Sequence, residues 1–153
     1  MVAILQSEYA SGKLAAPTPC GSEVCSYRAS YTFATGDLVL NNIVDMAVLP
    51  ANCTLLDAVL DSDDLDSNAS PTITLDVGVM SGDVGSTDNT RTCGAEVFSQ
   101  DTTAQAGGVK VPSLKTAYRV AAVSTDTSIG VKIHAAPATA QAGTIDLIIF
   151  YHG

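Results

Sequence analysis

Tryptophan is absent from this 153-residue sequence, and only three phenylalanines and five tyrosines are present. Sugar-binding clefts commonly stack their ligands on aromatic rings, so this composition offers little for carbohydrate recognition. Lysine and arginine are also scarce, seven against sixteen acidic residues, for a formal charge of −9. Phosphate binding needs clustered Lys and Arg, so nucleic acid and anionic membrane surfaces are poor partners. No apolar run approaches the roughly 18 residues of a membrane-spanning helix. A short apolar patch over residues 2–5 lacks a basic flank and adequate length, so export through a signal peptide is not expected.

Catalytic signatures are equally sparse. His134 and His152 are the only histidines. Neither lies in a local motif, and no G-x-S-x-G elbow occurs to present a nucleophile. The glycines Gly107-Gly108 and Gly82-x-x-Gly85 are not followed by Gly-Lys-Ser/Thr, so no phosphate loop is formed. Sixteen acids make some pair of neighbouring carboxylates inevitable, which gives a glycosidase reading no weight. No catalytic, cofactor-binding or metal-ligating residue is expected, and no cofactor. Both histidines read most simply as surface groups. The four cysteines, Cys20, Cys25, Cys53 and Cys93, read as free structural thiols of a chain folded in a reducing compartment. A Cys20–Cys25 bridge, or a metal clip with His134 and His152, is the weaker alternative because only one close pair exists.

What the chain does contain is Val, Ile, Leu, Ala, Thr and Ser, with few helix-favouring Glu, Lys and Arg, a balance that favours strands. Apolar residues make up 46% of the chain, too many for intrinsic disorder. A chain of this length hides roughly 70% of its unfolded surface as one domain, so a core forms without staples. Period-two alternation recurs, the mark of strands with one buried face. Over 37–49, Leu38, Leu40, Val44, Met46 and Val48 share a face, with Asn42 the exception. Ile73, Leu75, Val77 and Val79 alternate with Thr72, Thr74 and Asp76. Ile129, Val131, Ile133 and Ala135 alternate with Gly130, Lys132 and His134, and Ile145, Leu147, Ile149 and Tyr151 with Thr144, Asp146 and Ile148. Less regular strands are expected over 27–33, 53–60 and 115–123. The total is seven, or eight if 37–49 breaks at Asn41-Asn42. One short helix is expected within 95–105, ended by Gly107-Gly108. Strands at this spacing without long helices predict an all-β antiparallel sandwich or jelly roll of about eight strands. Residues 1–26 carry Gly, Ser, Ala, Pro17 and Pro19 without periodicity. They read as an extended N-terminal arm that orders against the body or a neighbour, with 27–153 as the sandwich domain.

Charge is unevenly placed. Residues 31–109 hold twelve acids and one base, Arg91, whereas 110–153 hold four bases and two acids. Such asymmetry suits contact between an acidic face and a basic one. The run Asp61-Ser62-Asp63-Asp64-Leu65-Asp66 could supply oxygen ligands to a hard cation. It lacks the glycine and distal Glu of an EF-hand loop, so a solvated turn is the better reading.

Three stretches, 42–66, 70–82 and 104–151, carry a family resemblance through a Leu-Pro-Ala turn, the D-S-D-D-L-D loop, T-L-D-V-G, A-Q-A-G-G and a closing A-G-T-I-D-L-I strand. They resemble the head decoration, or cement, proteins of tailed bacteriophages over about two-thirds of the chain. The arm and the segment around Cys20 and Cys25 lie outside the resemblance. It implies a protein made in the host cytoplasm that assembles, often as a homotrimer, on the outer surface of the head. There it binds the major capsid protein and stabilises junctions between capsomers. A cement protein needs no active site and must remain soluble before assembly, as the missing motifs and the acidity suggest. Candidate partner-binding residues are the cations Lys13, Arg28, Lys110, Lys115, Arg119 and Lys132. The alternatives are a tail or fibre module recognising a carbohydrate or cell-surface receptor through loops 61–71 and 82–94, and a hydrolase on a jelly roll.

Overall fold

The computed structural model describes residues 2–19 and 21–153. Among the described residues there are nine strands: β1 Ile4–Gln6, β2 Val24–Phe33, β3 Ile43–Leu49, β4 Thr54–Ser62, β5 Thr74–Val79, β6 Phe98–Asp101, β7 Gly108–Lys110, β8 Thr127–Ala135 and β9 Gly143–His152. They form two sheets, β1-β3-β8-β5-β6 and β2-β9-β4-β7. Every pairing is antiparallel except β1 with β3. The chain is an all-β sandwich, as the alternation predicts.

The alternation works best where a strand has core on one side and solvent on the other. In β9, Ile145, Leu147, Ile149 and Tyr151 are buried while their neighbours are partly exposed. Ile129, Val131 and Ile133 of β8 and Leu75 and Val77 of β5 meet them across the sandwich in one apolar core. Tyr27 of β2 adds a polar tie, because its hydroxyl donates to Val48 O (2.5 Å) and accepts from Val48 N–H (2.6 Å).

Several sequence expectations need correction. β3 is buried on both faces along its whole length, Asp45 included. Its outer face lies under the 81–94 loop, which is bonded to it at Gly85 and Arg91. The 37–49 run does break at Asn41, whose φ is +68°. Residues before it form a single 3₁₀ turn, Thr35–Asp37, and Leu40 is exposed rather than inward. The strand expected over 115–123 is a 3₁₀ turn, Lys115–Arg119, with Ala117 and Val120 buried three residues apart. A spacing of three is that of the 3₁₀ turn, not of a strand. The helix expected within 95–105 is β6 followed by a 3₁₀ turn, Thr103–Gln105, because consecutive Val97 and Phe98 are both buried beside β5.

The segment before β2 is bound to the body at several points. Ile4–Gln6 runs parallel to Ile43, Val44 and Asp45. The Ser7 hydroxyl donates to Met46 O (2.6 Å), the Tyr9 ring lies 4.2 Å from that of Tyr27, and the Tyr151 hydroxyl donates to Pro17 O.

Candidate assembly surface

The acidic run 61–66 is not a uniformly solvated turn. Asp66 is 1% exposed and acts as an acceptor hub. Its Oδ2 accepts N–H bonds from Thr72 (2.7 Å), Ala138 (2.8 Å) and Ile73 (3.2 Å), and its Oδ1 accepts from Thr139 (2.8 Å) and Asn68 (3.4 Å). Burial by itself raises such a carboxyl, but the N–H groups of Thr139, Thr72, Ala138 and Ile73 outweigh it and hold Asp66 well below the usual carboxylate range. The carboxylate thus satisfies backbone donors that a cation could not.

Arg91, the lone base among twelve acids, forms a second hub. It is buried, with Nη1 2.7 Å from Asp45 Oδ2, which also accepts the Gly85 N–H (3.1 Å). Its other donors reach Ser81 O (2.8 Å), Ser86 O (2.8 Å) and Ser128 Oγ (3.1 Å). One guanidinium therefore pins the 81–94 loop to both β3 and β8. The sequence signal available for it was only its isolation within the acidic stretch.

Of the six candidate cations, three fall on one segment. Lys110 ends β7, and Lys115 and Arg119 bound the 3₁₀ turn that follows. Lys110 Nζ lies 2.6 Å from buried Asp101 Oδ2. Burial opposes ionisation of that carboxyl, but hydrogen bonds from Lys110 and Thr103 lower it below its ordinary value. Among the described residues, Lys115 and Arg119 make no ion pair within the chain. Beside them lie the exposed apolar side chains Val109, Val111, Leu114, Tyr118 and Val123. Val109 is 67% exposed, which marks the segment as a surface rather than a core edge. Tyr118 is steadied by its hydroxyl, which donates to Pro112 O (3.1 Å). An open groove of about 330 Å³ runs alongside, lined by Leu49, Val79, Glu96, Arg119, Val120 and Val123. A second recess, about 650 Å³, opens between the leading segment (Gln6, Tyr9, Leu14) and Val48, Pro50 and Asp126.

The other three cations sit elsewhere. Lys13 is exposed on the leading segment, and Lys132 is half-buried on β8. Arg28, on β2, pairs with Asp146 of β9 at 2.8 Å. Lys110, Lys115 and Arg119 share one segment, and the remainder sit on separate elements.

His134 is not a simple surface group. Its Nδ1 lies 2.7 Å from Asp76 Oδ2, and Asp76 Oδ1 accepts the Gln100 N–H (2.8 Å). His152 Nδ1 faces Gly153 O at 2.9 Å. No described hydrogen bond joins either ring to a Ser, Thr or Cys. Among the described residues no cluster of three or more His, Cys, Asp or Glu could hold a metal ion. Cys53 and Cys93 are free thiols, while Cys20 and any bridge to it lie outside the described residues.

No protein-family model and no curated protein matches this chain. Solved structures do. A chain in the capsid of Ralstonia phage GP4 is 43% identical over 97% of both chains, with a TM-score of 0.93. A chain in the capsid asymmetric unit of cyanophage Pam1 is 28% identical over 91% of both, with a TM-score of 0.64. A chain in the acid-stable capsid of Helicobacter pylori bacteriophage KHP30 shares the fold at 13% identity and a TM-score of 0.56, over 86% of this chain and 93% of that one. The first match spans nearly the whole of both molecules, including the leading segment that the sequence resemblance left out. This chain therefore belongs to a family of bacteriophage capsid proteins and is a structural component of the virion.

Proposed function

We propose that this protein is a decoration, or cement, protein. In this reading it binds the outer surface of the head and stabilises junctions between capsomers of the major capsid protein, as a homotrimer. The observation that carries it is the 109–123 segment. Five exposed apolar side chains flank two cations without an internal partner, on a molecule whose net charge is −9. An apolar patch rimmed by charge on a rigid sandwich suits a protein partner, and the cations select an acidic site on it. A head presents many equivalent sites, so one modest patch is used repeatedly, and linked copies gain avidity without a strong single contact. A ligand that binds only the closed lattice stabilises it by mass action, by about 2.7 kcal/mol per site at a hundred times its dissociation constant.

The sandwich is the rigid body of this assembly, and the segment ahead of β2, read from sequence as an arm over 1–26 but lending β1 to one sheet, supplies a further contact. Lys13, Arg28 and Lys132 are secondary contact residues.

The test is addition of purified protein to heads that lack it, followed by sedimentation of the heads and heating until the packaged DNA escapes. The protein is expected to co-sediment to saturation and to raise the escape temperature. The double variant Lys115→Glu/Arg119→Glu is expected to keep the wild-type unfolding transition and to lose binding at least tenfold. Saturating binding indifferent to both charges would remove this surface from the account. An absence of binding to heads would remove the function.

A further inference from the structure

The two sheets have four edges, and three are short. β1 and β7 have three residues each and β6 has four. The part of β4 left uncovered by β7 is shielded by the Lys115–Arg119 turn, whose Tyr118 hydroxyl reaches Asp57 (3.4 Å). β2 is different. It runs ten residues, pairs with β9 in unbroken register on one side, and contains neither a bulge nor a proline. Among the described residues, no hydrogen bond outside the β9 ladder reaches the backbone of 26–33. Long, regular, unguarded edges are what natural sheets ordinarily avoid, because they offer a row of free N–H and C=O groups to another strand.

We propose that the β2 edge pairs with β2 of a second copy of this chain, antiparallel, across a twofold axis. Charge selects that occupant. In a molecule of charge −9, β2 contains no acidic residue, and its one base, Arg28, is paired with Asp146. Two copies therefore approach along this edge without opposing carboxylates on the strands themselves. Register selects it too. In an antiparallel pair, opposite residues share a face, so an axis at a residue keeps both cores on the same side. An axis at Ala29 sets Tyr27 opposite Tyr31, Ser26 opposite Thr32 and Arg28 opposite Ser30. An axis at Arg28 would oppose the two arginines. The Ala29 register extends each four-stranded sheet into one of eight strands. An isologous contact of this kind closes on itself and links assemblies pairwise.

This inference deepens the assembly reading but is measured on purified protein without heads, so either result stands if the other fails. Ser30 faces Asp146 within the chain, so a lysine there is compatible with the fold. Across the interface it would meet Arg28 twice. Light scattering and sedimentation are expected to show the smallest wild-type species doubling in mass with concentration. Amide exchange at 26–33 should slow as it does so. Ser30→Lys is expected to weaken the doubling roughly tenfold and Ser30→Glu to strengthen it. Four outcomes overturn the proposal: no doubling up to millimolar protein, doubling indifferent to both variants, a reversed order of the two, or protection at 26–33 that appears only when heads are added.

Discussion

Replacing Asp66 with asparagine exchanges one oxygen for an NH₂ group and should destabilise the whole domain. The carboxylate receives five backbone N–H groups from two loops far apart in sequence, and its 1% exposure leaves water no route to replace it. Asparagine keeps one acceptor oxygen. With that oxygen toward Thr72, Ile73 and Ala138, its NH₂ faces the donating N–H of Thr139. The loss comprises one strong bond, the donor left bare opposite it, and the charge assistance of the rest. Bonds to charged groups contribute about 1.5–3 kcal/mol and an unsatisfied buried donor costs about 1–3 kcal/mol, so the total is about 3–4 kcal/mol. For a domain of this length that is roughly 10 °C in Tm. The pH dependence separates this cause from general misfit. Asp66 titrates lower folded than unfolded, so its contribution is complete above the unfolded value and is lost as pH falls toward the folded one. Urea unfolding of both proteins should show the full gap at pH 7 and a gap narrower by about 1 kcal/mol at pH 3. Other carboxylates common to both proteins cancel in this difference. A gap below about 0.5 kcal/mol at pH 7, or one that does not narrow in acid, would mean that the Asp66 carboxylate does not hold these loops through its charge.

Three further outcomes follow from the same geometry. Arg91→Leu leaves Asp45 buried without its cation and should cost about 3–5 kcal/mol in urea unfolding, part of which Asp45→Asn restores in the double variant. Gly78→Ala would place a methyl group 2.5 Å from the Gly94 backbone, and thermal unfolding should show a loss of about 1–3 kcal/mol. Burial raises the Cys53 thiol and, with Glu96 and Asp76 adding to it, pushes Cys93 up to about 12. Both should therefore resist iodoacetamide in the native protein at pH 8 and react after unfolding, as read by peptide mass spectrometry.

Legibility from sequence followed the environment of each strand. β9 divides core from solvent, and β8 does so only from Lys132 onward, so their alternation shows in the letters, and with it the sandwich. β3 does not, because a loop forty residues downstream covers its outer face through Arg91 and Asp45. Nothing local in IVDMAVL distinguishes that cover from a half-exposed strand. Asp66 was hidden for a similar reason. Four acids in six residues look alike until the fold delivers the 138–139 amides to one of them. The 115–119 turn was misread because Leu114, Ala117 and Val120 recur at three, which a search for period two passes over. Of the candidate surface, the cations Lys110, Lys115 and Arg119 were visible as charge asymmetry. The exposure of Val109, Val111 and Tyr118 on the same segment was not legible in the letters, because it depends on β7 docking at the end of β4. The phage resemblance came from recurring phrases rather than from chemistry, and it pointed to the virion where no reactive motif could.

The most direct test is a cryo-electron microscopy reconstruction of the particle that carries this chain. Ordered copies are expected on the outer face of the head, seated over capsomer junctions with the 109–123 segment against the shell. Copies confined to the tail or to the inner face of the head would contradict the cement role.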